Sequence, residues 1–137
     1  MPVERITHDG RVLAVVLRAG GSEPGGSEPG AHFVTDPDAP LQLGELSHPA
    51  GHVIAPHEHN SGTRVVTGTH EVLHVRSGTL QVDLYGDGTA PVATCRLTAG
   101  DTILLMDGAH GFTFVSACRV LEVKQGPYLA AEDKHYL

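Results

Sequence analysis

The stretch Gly51-His52-Val53-Ile54-Ala55-Pro56-His57-Glu58-His59 carries two histidines one residue apart. On an extended segment side chains alternate with period two, so His57 and His59 project to one face, where two imidazoles can share a cation. A third imidazole and a carboxylate would complete a mixed nitrogen and oxygen site with coordination positions left open. His110 and Glu71 supply those groups. Glu71 alternates in phase with Leu73 and Val75, on a face where an unpaired carboxylate is costly and a cation would offset that cost. His110 shares its face with Phe112 and Phe114.

The elements that must hold these four groups read as strands. Seventeen glycines and nine prolines in 137 residues favour short strands and tight turns. No segment has convincing helical periodicity. The core must be aliphatic, because there is no Trp and only three Phe and three Tyr. Val3–His8 and Arg11–Arg18 flank Asp9-Gly10, a pair that accepts positive φ and suits a hairpin. Gly-Ser-Glu-Pro-Gly then occurs twice within residues 20–30, a flexible Gly/Pro loop to which no chemistry is assigned. Strands are expected over 41–47, 52–57, 71–76, 80–85, 92–98, 102–106, from His110 to Phe114, and over 119–125, with a connection at 60–69. The tail 126–137 either closes one end of a barrel or crosses to a partner subunit. Short strands at this spacing predict one all-β domain over 1–137, a barrel of jelly-roll type with its core at about 41–125.

Composition limits the function. The net charge of −7 and the absence of a Lys/Arg-rich run argue against nucleic acid. No apolar run approaches the ~20 residues of a membrane span. The first residues, Met1-Pro2-Val3-Glu4-Arg5, lack the form of a signal peptide, so a cytoplasmic location is expected. Cys95 and Cys118 are read as free buried thiols. Six of the ten histidines fall between His48 and His74, and it is this clustering that informs.

The pattern resembles the cupins, small double-stranded β-helix barrels that hold a metal between two sheets. In their first motif Gly is followed after five residues by His-x-His, and a later Glu is followed after six by Gly. Gly51, His57, His59, Glu71 and Gly78 match those spacings. Their second motif runs Gly-Asp, a strand, Pro-x-Gly and a His, matched by Gly100-Asp101, Gly108 and His110. The chain departs from the pattern in three places. Eleven residues separate His59 from Glu71 where the family has three or four, Met106 stands for Pro, and His110 follows Gly108 one residue early. The resemblance covers about 41–125 and implies His57, His59, Glu71 and His110 as ligands of a divalent ion (Mn, Fe, Ni or Zn).

A metal-dependent enzyme acting on a small organic molecule is therefore the expected function, with oxygenase, isomerase and lyase chemistry all open and no catalytic acid or base named. The alternatives are a non-catalytic metal or small-ligand binding module, such as a sensor or an accessory protein in sugar or polysaccharide metabolism, and a metal-free sugar-nucleotide epimerase-like barrel with His57 or His59 as base. Arg64 could hold a substrate carboxylate or phosphate. Lys124 and Glu122 either line the pocket or pair on the outside. Val53, Leu73, Val75, Leu97, Phe112 and Phe114 are expected to wall a dry pocket. His70 is expected to face solvent, and His74 to lie on the outer face. A homodimer is expected, mainly from the resemblance.

Overall fold

The computed structural model describes residues 3–20 and 28–137, so residues 21–27 of the expected Gly/Pro loop lie outside the described residues. The chain divides into two compact units, Met1–Gly20 with Thr69–Leu137, and Gly21–Gly68. The structure is all-β, built from antiparallel sheets that do not close into a barrel. Among the described residues no helix is long and apolar enough to cross a membrane.

The first unit opens with β1 (Val3–His8) and β2 (Arg11–Leu17), an antiparallel hairpin. Its turn residues Asp9 and Gly10 have φ of 49° and 75°, the positive values for which Asp-Gly is suited. Within Gly21–Gly68, β3 (Gly30–Phe33) pairs with β4 (Gly44–Ser47). The remaining strands are β5 (Glu71–Ser77), β6 (Leu80–Tyr85), β7 (Pro91–Leu97), β8 (Thr102–Leu105), β9 (Ala109–Phe114) and β10 (Arg119–Lys124). A five-stranded sheet runs β1-β2-β8-β5-β10 and a three-stranded sheet runs β7-β6-β9.

Both larger sheets feed one aliphatic core. It joins Val16 of β2, Leu73 and Val75 of β5, Leu80, Val82 and Leu84 of β6, Leu97 of β7, and Ile103 and Leu105 of β8. Each such side chain contributes about 1.5–3 kcal/mol on burial. The turn from β5 to β6 depends on Gly78, which has φ of 86° and would drive a Cβ into the Ala117 carbonyl oxygen. Asp101 fastens the turn before β8. It is 5% exposed and accepts from the backbone N–H of Thr98 at 2.8 Å and of Ala19 at 2.9 Å, and from Arg18 at 3.2 Å.

Several expectations need correction. Residues 52–57 form no strand, and Val53 and Ile54 are 77% and 52% exposed. The physical reason is local: Pro56 removes a donor from any ladder, and among the described residues no strand pairs with the segment to cover Val53 and Ala55. Phe112 and Phe114 lie on the inward side of β9 yet are 38% and 58% exposed, because β9 ends its sheet. His70 is not solvent-facing but 7% exposed, its carbonyl accepting from the Gln125 N–H at 3.1 Å. That bond extends the β5–β10 ladder by one pair. The tail carries a single 3-10 turn at Ala130–Glu132.

Candidate functional site

Strand parity positions the two site residues of the first unit. Glu71 opens β5 on the side of Leu73 and Val75, both core residues. His110 lies opposite Leu84 and Phe112 opposite Val82 in the β9–β6 register, so both look toward the core side of their sheet. On β10, Lys124 is the cross-strand partner of Glu71 and Glu122 that of Leu73. The edge strands β9 and β10 belong to different sheets, and a cleft of about 430 Å³ opens between them. Glu71, His110, Phe112, Glu122, Lys124 and Asp133 line it.

Within the cleft the His110 Nε2 lies 3.1 Å from the Glu71 carboxylate oxygen, with side chains 30% and 13% exposed. The hydrogen bond with His110 holds the Glu71 carboxyl below the usual carboxylate range, against the opposing pull of burial. The His110 and Phe112 rings lie 5.1 Å apart in a tilted arrangement. Lys124 Nζ donates to Asp133 Oδ2 at 3.2 Å, and that bond holds the ammonium above its ordinary value.

The other two expected ligands belong to the second unit. The His57 and His59 rings are 5.6 Å apart, edge to face, on an exposed coil. His57 Nδ1 lies 2.8 Å from the Ala55 carbonyl, which fixes that nitrogen as donor and leaves Nε2 free. Among the described residues neither unit groups three or more His, Cys, Asp or Glu side chains as metal ligands. Arg64 is exposed in the same coil. His74 Nδ1 pairs with Thr102 Oγ1 at 2.9 Å.

Sequence reasoning set Glu71 and His110 each on the inward face of its own strand by alternation, and the resemblance joined them as ligands. It missed Asp133, which comes from irregular chain with no periodicity to announce it. Glu122 and Lys124 were legible only as an alternating pair whose inward side was undetermined, and the register with Glu71 and Leu73 resolves it. Comparison with protein-family models, curated proteins and solved structures finds no match.

Proposed function

We propose that this chain is a metal-dependent enzyme of cupin type, a jelly-roll double-stranded β-helix acting on a small organic molecule. Of the ligands the resemblance implies for its divalent ion (Mn, Fe, Ni or Zn), Glu71 and His110 meet within the first unit, and His57 and His59 neighbour one another within the second. The observation that carries this reading is the 3.1 Å contact between Glu71 and His110 at the cleft. The donors suit such an ion. Glu71 is charged at neutral pH, and the Ala55 carbonyl fixes the His57 ring as the outer partner of a ligating imidazole does. Bound there, the metal would polarise a carbonyl, carboxylate or enolate oxygen or, as iron, activate dioxygen. The chain's own part is to orient substrate along Phe112, which lines the cleft beside His110.

The test is elemental analysis of protein purified without added metal, followed by His57→Ala and His110→Ala. Near-stoichiometric metal that each substitution removes supports the reading. Metal-free protein, or metal indifferent to His110→Ala, overturns it. Turnover is then sought with keto acids, diketones and sugar nucleotides. Metal without turnover across that panel favours the non-catalytic binding module.

The same contact favours a second, metal-free reading, in which the Glu71 carboxylate orients His110 as a base. Activity that survives chelation would select it. A homodimer belongs to the first reading. Leu121 and Val123, 46% and 53% exposed on β10, offer it an apolar face, and sedimentation analysis would detect it.

A further inference from the structure

Lys124 is the cationic side chain that the β10 register sets directly across from Glu71 in the cleft. Its partner is not a strand residue but Asp133, supplied by the last part of the chain. That part is otherwise turned outward, with Tyr128, Leu129, Tyr136 and Leu137 exposed by 77%, 54%, 86% and 64%. The Asp133 side chain is by contrast only 11% exposed. The segment thus leaves these apolar residues exposed while tucking one carboxylate into the cleft, where it meets Lys124. The Lys124 ammonium also stands 5.9 Å from the Tyr128 ring, a second and weak tie.

We propose that the cleft between β9 and β10 binds small carboxylates, with Lys124 as the anion anchor and Asp133 as a tethered stand-in for the ligand's own carboxylate. The exchange conserves charge, since one carboxylate replaces another beside the same ammonium. Lys134 also lines the cleft and adds a second cation beside Glu71 and Glu122. Phe112, 38% exposed and 5.1 Å from the His110 ring, provides the apolar wall for the ligand's body. The Lys124 side chain is 30% exposed, so a ligand entering from solvent can reach its ammonium beside Asp133.

The proposal uses the same cleft as the metal reading but has a separate readout: carboxylate preference follows Lys124 and Asp133, whereas metal content follows His57 and His110. The experiment titrates the full chain with benzoate and with its neutral near-isostere benzamide, followed by amide and side-chain NMR shifts. Benzoate is expected to shift β9 and β10 resonances around Phe112 and Lys124 and to bind more tightly than benzamide. Asp133→Asn removes the internal competitor and should tighten benzoate about two- to fivefold, leaving benzamide unchanged. Lys124→Met should erase the preference in protein whose β5 and β10 shifts stay dispersed. Equal binding of the two probes, no cleft response to either, or an Asp133→Asn effect that is absent or common to both would overturn the proposal. Asp133→Asn is the safeguard should Lys124→Met fail to fold, because it alters one side chain of an irregular segment.

Discussion

The two units of this chain are held by different forces. In the first, aliphatic side chains from two sheets make the core, with Leu80, Leu84 and Leu97 no more than 1% exposed. In Gly21–Gly68, Val34 is the only buried hydrophobic residue among those described, and Val53 and Val65 are 77% and 91% exposed. Order there comes from polar contacts instead. The Gln42 side chain accepts from Thr35 Oγ1 at 2.9 Å and donates to the carbonyls of Asp36 and Ala39, each at 2.9 Å. The expected ligands divide between the units, with Glu71 and His110 in the first and His57 and His59 in the second. The difference teaches where each half gets its precision: Glu71 and His110 from strand register, His57 from a local bond to Ala55.

The largest test of that contrast removes volume from each unit. Leu84→Ala leaves a cavity in a closely packed core and should destabilise the protein by about 2–5 kcal/mol in denaturant unfolding. Val65→Ala, at a 91% exposed site, should stay within about 0.5 kcal/mol. Comparable losses from the two would refute the division of labour drawn above.

A polar anchor inside the apolar unit gives the next effect. Burial alone would push the Asp101 carboxyl up, but the N–H groups of Thr98 and Ala19 and the Arg18 guanidinium hold it below its ordinary value. Asp101→Asn weakens charge-assisted bonds and should cost about 1.5–3 kcal/mol at neutral pH. Because the folded value is the lower one, the stabilisation is complete above the unfolded Asp value of about 3.9 and is lost as pH falls through the folded value. Unfolding curves of wild type and variant should therefore converge in acid. A gap that stays constant down to the acid limit would mean that Asp101 acts by shape and not by charge.

How much of this was legible in the sequence follows the same contrast. Where strands bury one face, alternation reported it: Leu73 and Val75, then Leu80, Val82 and Leu84, all lie in the core. Asp9-Gly10 announced its hairpin because both residues take positive φ. Alternation also set Glu71 and His110 on inward faces, although it could not reveal that β9 and β10 end their sheets and leave those faces open to a cleft. In the second unit the periodic signal had no cause behind it. Val53, Ala55 and His57 alternate on paper, yet no apolar face is buried there and the chain is coil. β3 was missed for the converse reason, since four residues following a Gly/Pro-rich stretch carry no pattern. The Lys124–Asp133 pair joins a strand to irregular chain, a contact that no period can encode.

The smallest effect is expected at Gln42, and it is the most informative about the second unit. Its amide donates to Asp36 and Ala39 and, at a longer 3.4 Å, to Pro37, while Thr35 Oγ1 both donates to it and accepts the Leu43 N–H at 3.2 Å. These bonds close the loop between β3 and β4, where Val34 N–H also meets the Leu43 carbonyl at 2.8 Å. Because the freed carbonyls can turn to water, Gln42→Ala should cost only about 1 kcal/mol, in the range of a net neutral hydrogen bond. Gln42→Glu should cost more, since it deletes the donors and sets a charge against the carbonyls they served. Hydrogen exchange separates this from a global effect: the Leu43 and Ala39 amides should exchange faster in both variants, while those of Leu73 and Ile103 keep their protection. Equal acceleration at Leu73 and Ile103 would mean that the polar network stabilises the apolar core as well, and that the two units unfold as one.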